Sequence, residues 1–222
     1  MAHGTADSRF SARDERFWDR MARRYARLAV RDAAGYAQTL ARTRHWLGAG
    51  DRVLEIGCGT GTTALALAPH VGRYLATDIS GAMIAIARDK AAAAGSAVVP
   101  AFEKATLDDA PGAPGAYDAV LAFNALHLCG DVPAALARVA RLVRPGGLFI
   151  SKTPCLGDVS PVFRLLVPAL RLARLAPRVT FVTAAGLERE LAAAGFAVVE
   201  RGRHGSRGRD LRPFLVARRA VS

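Results

Sequence analysis

Lysine is scarce in this chain: Lys90, Lys104 and Lys152 are the three lysines among 31 basic residues, and the other 28 are arginines. These arginines run from Arg9 to Arg219, mostly beside alanines on helix-like stretches, so the net charge of +12 reads as compositional habit plus solvated helix faces. A footprint for RNA or an anionic surface is the competing reading. Cysteine is sparse too. Cys58, Cys129 and Cys155 lie far apart with no C-x-x-C spacing, which excludes a disulfide framework and a zinc site and leaves metal ligands unassigned. No run approaches the roughly 18 apolar residues of a membrane span. The first seven residues lack the charged-then-apolar pattern of a secretion signal, so a cytoplasmic protein is expected. There is no internal repeat. What is present, 51% hydrophobic and 23% charged residues over 222 positions, fits one soluble domain with a substantial core.

From about Ser11 the chain turns helical, with Trp18, Met21, Tyr25 and Leu28 at steps of three and four on one face. A second helix is predicted from about Gly35 to Trp46. Strand-like runs then appear at Arg52–Ile56, Arg73–Thr77, Val98–Phe102, Tyr117–Phe123 and Gly147–Lys152. Helical runs separate most of them, at Thr62–His70, Gly81–Ala94 and Val132–Val143. Such alternation means a parallel sheet covered by helices on both faces. Pro161–Pro177 reads as an apolar, arginine-studded helix, Thr183–Ala194 as a helix closed by Gly195, and Phe196–Arg201 with Pro213–Arg218 as a closing hairpin. The expected division of residues 1–222 is a helical lid at 11–47, a binding core at 51–153, a substrate-side insertion at 154–182 and a C-terminal helix and hairpin at 183–222.

The first strand runs into Gly57-Cys58-Gly59-Thr60-Gly61 and then into a helix. Alternate glycines let the backbone turn tightly and approach a ligand without Cβ contacts, and the helix start adds unpaired N–H groups. A dinucleotide loop of the form G-x-G-x-x-G/A wants a small apolar residue where Thr62 stands. Glu55, two residues before Gly57, is awkward beside a pyrophosphate but suits a ligand carrying an ammonium and a sulfonium; the bland alternative is an exposed glutamate at a tight turn. Asp78 ends the second strand 17 residues past Gly61, where a carboxylate can accept both hydroxyls of a ribose. Its alternative is a helix N-terminal residue.

On these residues the sequence resembles the class I (Rossmann-like) S-adenosylmethionine (SAM) methyltransferases of small-molecule type, over roughly residues 15–153. The resemblance implies an α/β Rossmann-like, doubly wound, mostly parallel seven-stranded sheet with a C-terminal antiparallel hairpin and an N-terminal helical lid. It also implies SAM as cofactor, held by Glu55, Gly57, Cys58, Gly59 and Gly61 of the first motif, by Asp78, Ile79 and Met83 after the second strand, and by Tyr25 of the lid. Family members often carry an aspartate near the adenine amino group, whereas here that slot falls at Ala105 or Thr106, with Asp108 beyond. Asn124, after the fourth strand, corresponds to the segment passing the methionine end of SAM.

Methyl transfer requires mainly orientation of the acceptor and exclusion of water; a base is needed only for a proton held tightly at neutral pH. His127 is the sole candidate base, against the reading of a partly buried structural histidine, and Cys155 could face the pocket or be a small core residue. The segment at Asn124 does not form the N/D-P-P-Y/F motif of adenine or glutamine methylators. The helix carrying Trp18, Met21 and Tyr25, together with Pro161–Pro177, is expected to form a pocket for a small, fairly hydrophobic acceptor bearing O, N, S or C. Nucleic acid is not expected as a partner, and the same helix at 161–177 could instead lie on a membrane surface. The alternatives are an RNA or protein methyltransferase, drawing on the charge and on Gly202–Arg209, a non-catalytic SAM-binding domain, and a nicotinamide-dependent oxidoreductase. Oligomeric state is not readable.

Overall fold

A computed structural model describes residues 12–95, 98–159, 176–205 and 210–221. Two helices, α1 (Ala12–Ala26) and α2 (Ala33–Trp46), precede a sheet of seven strands. These are β1 (Arg52–Ile56), β2 (Arg73–Asp78), β3 (Ala101–Lys104), β4 (Tyr117–Phe123), β5 (Val143–Lys152), β6 (Phe196–Gly202) and β7 (Phe214–Arg219). Helices α3 (Thr62–Leu67), α4 (Gly81–Ala94), α5 (Val132–Leu142) and α6 (Ala184–Ala193) complete the order. The sheet runs β3-β2-β1-β4-β5-β7-β6. Its first five strands are parallel, and β7 enters antiparallel between β5 and β6. Chain order reverses at β1, which places β1 and β4 side by side and opens a crevice beyond their C-terminal ends, the usual ligand position in such sheets.

Strand alternation assigns the two faces. Leu54, Val120 and Phe149 point toward α5 and α6, where Leu136, Val139, Leu187 and Leu191 meet them. Val53, Leu121 and Ile150 point the other way, toward Ala64 and Leu67 of α3 and Ile84 and Ala87 of α4. Both faces of the central strands are therefore apolar, as a sheet sandwiched between helices requires.

The helix starts are set by side-chain caps: Asp32 accepts from Gly35 N, Ser80 from Met83 N, Asp131 from Ala134 N and Thr183 from Gly186 N. Each satisfies one of the orphan donors of a first turn. Ser80 does more, because its hydroxyl also donates to Asp19 of α1 at 2.6 Å, and Asp19 accepts from Ala82 N at 3.1 Å. A Lys104–Glu15 pair at 2.6 Å adds to this. The N-terminal helix is thereby pinned across the start of α4, beside the crevice. At the other edge Glu200 of β6 accepts from Arg42 Nε at 2.9 Å and from Trp46 Nε1 at 2.6 Å, fixing α2 to the antiparallel strands.

Several boundaries differ from the sequence reading, most of them by one or two residues. The third strand lies at Ala101–Lys104 instead of Val98–Phe102, and Val98 and Val99 are exposed. β3 is an edge strand whose position is set by pairing Leu75 with Ala101, so local apolarity did not locate it. The α5 helix stops at Leu142, one residue short of the expected end. β5 then starts at Val143, where it pairs with Tyr117 across a register shift that accommodates Pro145 and Gly146. The expected helix at 161–177 falls almost wholly on residues 160–175, outside the described residues.

Candidate functional site

The loop between β1 and α3 ends a strand on one side and meets β2 on the other, through a bond from Cys58 N to Thr77 O of 2.9 Å. Its glycines all take left-handed φ values, +67° at Gly57, +54° at Gly59 and +76° at Gly61, which side chains other than glycine adopt at a cost. Their surroundings separate them. A Cβ on Gly57 would strike Ala125 at 2.7 Å and one on Gly61 would strike Ala87 and Phe102 at 2.8 Å, whereas one on Gly59 would meet only Tyr25 at 3.7 Å. Packing explains two of the glycines. The space in front of Gly59 is open except for the Tyr25 ring.

Two clefts meet at this point. A narrow apolar one, about 90 Å³, is lined by Trp18 and Tyr25 of α1, by Gly57 and Gly59, by Asp78, Ile79 and Met83 at and after the end of β2, and by Ala105, Leu107, Asn124, Leu128 and Cys129. A roomier one on the α2 side, about 640 Å³, is lined by Leu28, Val30, Tyr36, Thr39, Glu55, Cys58, Lys90, Lys152 and Arg212 among others. Tyr25, Gly57, Gly59, Phe123 and Asn124 line both. A ligand crossing that wall reaches from one cleft into the other.

Of the residues expected at the donor, Tyr25, Gly57, Gly59, Asp78, Ile79, Met83, Ala105 and Asn124 line the narrow cleft. Glu55 and Cys58 line the α2-side cleft instead. Gly61, Thr106 and His127 line neither. Thr106 is turned into its own loop, where its hydroxyl donates to Asp109 Oδ2 at 2.8 Å and accepts from Asp109 N at 3.2 Å; the neighbouring Ala105 takes the wall position. Asp78 Oδ2 accepts the Gly59 N–H at 2.9 Å and its Oδ1 accepts the Ser80 N–H at 2.9 Å. This carboxylate therefore shapes the glycine loop while keeping further lone pairs for ligand hydroxyls. Burial raises its pKa above the ordinary carboxylate value, and the backbone donors oppose that rise.

Glu55 is 2% exposed and accepts from the Tyr74 hydroxyl at 2.9 Å. Burial lifts its carboxyl to about 7, with Tyr74 pulling it down and Asp78 pushing it up. A buried carboxylate two residues before Gly57 has a cation as its natural complement. Asn124 is the one non-glycine residue with positive φ among those described, at 55°. Asparagine tolerates this region better than most residues, and such strain held by a Lys152 O bond of 2.8 Å from Asn124 N is typical of functional walls.

The sequence did not single out Tyr36, Thr39, Lys152 and Arg212, which the fold draws together from three segments, α2, the end of β5 and the approach to β7. Lys152 Nζ pairs with Asp210 Oδ2 at 3.0 Å and reaches Thr39 Oγ1 at 3.2 Å; Arg212 Nε bonds the other Asp210 oxygen at 2.8 Å. Two cations thus share one carboxylate at the end of the α2-side cleft. The i, i+3 spacing of Tyr36 and Thr39 on α2 was the only local hint. The described residues offer little nucleophilic chemistry. Burial keeps the thiol of Cys58 protonated far above neutral pH and pushes Cys129 to about 12 and Cys155 to about 11. His127 is held down at about 4 by burial. Among the described residues no group of three or more His, Cys, Asp or Glu could hold a metal ion.

This geometry suits a ligand with a flat apolar ring, a diol and a positively charged centre, as SAM has. Open space at Gly59, Asp78 at the strand end and the buried Glu55 each match one part of it.

Comparison with known proteins agrees. A methyltransferase-domain family matches residues 18–201. The ubiquinone biosynthesis O-methyltransferase of Azorhizobium caulinodans is 33% identical over 157 residues, 68% of this chain and 60% of that protein. The lovastatin diketide synthase lovF of Aspergillus terreus is 38% identical over 109 residues, 45% of this chain and 4% of that one. The chain thus spans less than two thirds of the length of either relative. A crystal structure of magnesium protoporphyrin IX methyltransferase from Synechocystis with bound SAM superposes with a TM-score of 0.70 at 20% identity, covering 95% of this chain and 99% of that one. The match over residues 18–201 takes in the glycine loop and every residue lining the narrow cleft, and the chain belongs to the methyltransferase domain family.

Proposed function

We propose that the protein transfers the methyl group of SAM to a small, fairly hydrophobic acceptor seated in the α2-side cleft. The observation that carries this reading is the open space at Gly59, on the wall common to both clefts. When bound, SAM supplies a methyl group on a positively charged sulfur that leaves as a neutral thioether. Asp78 holds the ribose hydroxyls, with Ile79, Met83 and Leu107 flanking the base in the narrow cleft. Glu55 gives the positive end of the cofactor a buried counter-charge. Asn124 and Gly59 set the junction through which the methyl group faces the acceptor.

Tyr36, Leu28, Val30 and Phe123 supply the apolar side of the acceptor cleft, with Lys152 and Arg212 at its polar end. Glu55, whose carboxyl lies near 7 on the wall of the α2-side cleft, is assigned to the cofactor's charge, the thiols stay protonated and His127 lines neither cleft, so no general base is assigned. Rate enhancement then rests on orientation and desolvation, and the acceptor proton leaves to water. The expected division, with the lid at 11–47 and the substrate-side insertion at 154–182, is retained as part of this reading.

The Azorhizobium relative is an O-methyltransferase by name, which makes apolar phenols the first acceptors to assay. Calorimetry with SAM and with its demethylated product tests the donor site, and methyl transfer over a panel of phenols, thiols, amines and carboxylic acids tests the acceptor. Micromolar binding of SAM and turnover of apolar members is the expected result. Turnover confined to RNA or protein, or tight nicotinamide binding without SAM binding, would overturn it.

A further inference from the structure

The end of α1 and the turn that follows it form the mouth of the α2-side cleft, and their surface is unusual. Leu28 and Val30 are 59% and 50% exposed and both line that cleft. In the same segment Arg23, Arg24, Arg27 and Arg31 are exposed, and none is in an ion pair among the described residues. No acidic residue occurs between Arg20 and Arg31. The flanking carboxylates are engaged elsewhere, Asp19 with Ser80 and Asp32 with Gly35 N. An exposed aliphatic pair in a segment with four exposed cations matches neither water nor a nucleic acid. Leu28 and Val30 offer no ring on which a base could stack and gain nothing against phosphates. An anionic lipid surface satisfies both features, because aliphatic side chains enter the headgroup boundary while arginines meet the lipid phosphates.

We propose that residues 23–31 seat this protein on anionic phospholipid bilayers, with Leu28 and Val30 in the headgroup layer and the mouth of the α2-side cleft facing the membrane. An apolar acceptor then reaches the cleft from the bilayer without crossing water.

The test is co-sedimentation of the full chain with vesicles of phosphatidylcholine alone and of phosphatidylcholine and phosphatidylglycerol in equal parts. Neither methyl donor nor acceptor is present, so the result stands apart from that of the methyl-transfer assay. Partitioning about tenfold stronger into the anionic vesicles is expected. Leu28→Ser with Val30→Ser, which leaves the charge unchanged, weakens it about fivefold or more. Arg23→Gln, Arg24→Gln and Arg27→Gln together weaken it about tenfold. The same charge change at Arg52, Arg73 and Arg141, at the opposite end of the strands, weakens it less than about twofold. Unchanged thermal unfolding midpoints establish that the variants are folded, as expected for exposed sites. The proposal is overturned if the serine variant binds like the parent, if the distant arginine variant loses as much as the near one, or if the parent binds both vesicles equally. Loss of bulk RNA binding in place of vesicle binding overturns it as well.

Discussion

Tyr74 donates its hydroxyl to Glu55 Oε2 at 2.9 Å, and both side chains are buried at the edge of the glycine loop. The bond only partly offsets the cost of burying a carboxylate: the Glu55 carboxyl rises from 4.5 to about 7, mainly through burial. A rise of that size means that ionised Glu55 costs the folded state about 3 kcal/mol. Below the unfolded value both states are neutral there and nothing is lost. The cost accrues as pH rises toward 7 and is complete above it. Glu55→Gln, which keeps an acceptor for Tyr74, is therefore expected to be about 2 to 3 kcal/mol more stable than the parent at pH 8 and nearly equal to it at pH 4.5. Urea unfolding at the two pH values measures this, and a gain independent of pH would contradict it.

The same two carboxylates separate the parts of the donor. Asp78 faces the narrow cleft and is assigned the ribose, which SAM and its demethylated product share. Glu55 is assigned the positive charge, and the product has lost its sulfonium. Asp78→Asn is expected to weaken both ligands by a similar factor, about 2 kcal/mol or some 30-fold. Glu55→Gln should weaken SAM more than the product. Isothermal titration of both variants with both ligands at pH 8 reads this pattern, and an equal loss of the two ligands in Glu55→Gln removes the counter-charge role.

How far the sequence revealed this site depends on how local the signal is. Gly57, Gly59 and Gly61, with Asp78 one strand later, announce a ligand loop because a strand, a turn and a helix start must follow one another along the chain. The α2-side cleft had no such signature. Tyr36, Lys152 and Arg212 become neighbours only because β4 and β5 follow β1 in the sheet and β7 inserts between β5 and β6. Val98 and Val99 misled in the opposite direction, being apolar yet exposed beside an edge strand. Thr106 and Ala105 were indistinguishable as wall residues until the bond between Thr106 and Asp109 turned the hydroxyl away.

Gly59 gives the sharpest separation of binding from folding. Its φ is +54° and the position of its missing Cβ is open. Gly59→Ala is therefore expected to cost only about 1 kcal/mol of stability through backbone strain while the methyl group occupies ligand space. SAM affinity should fall by about tenfold or more. Gly57→Ala and Gly61→Ala place the added carbon within 2.8 Å of Ala125 or of Ala87 and Phe102. They should lose about 2 kcal/mol or more of stability from overpacking in addition. Unfolding midpoints and calorimetry on the three variants check the contrast. A Gly59→Ala protein that binds SAM like the parent would show that the ligand does not pass this residue.

His127 is the histidine that sequence position put forward as a base, and the structure gives it a different consequence. Its backbone carbonyl accepts the Thr180 N–H at 2.7 Å, while its buried Nδ1 has no hydrogen-bond partner among the described residues. Burial lowers the imidazole to about 4, from an ordinary 6.5. A ring held neutral in the fold but free to protonate when unfolded stabilises the protein above pH 6.5, and that contribution is lost as pH falls toward 4. The difference amounts to about 3 kcal/mol. His127→Gln is therefore expected to flatten the loss of stability between pH 6.5 and 4, as read by unfolding midpoints across that range. The same variant should leave the pH profile of kcat/KM between 6 and 9 within about twofold of the parent, because the ring lines neither cleft. A selective fall in kcat with SAM binding and stability intact would return His127 to the reaction.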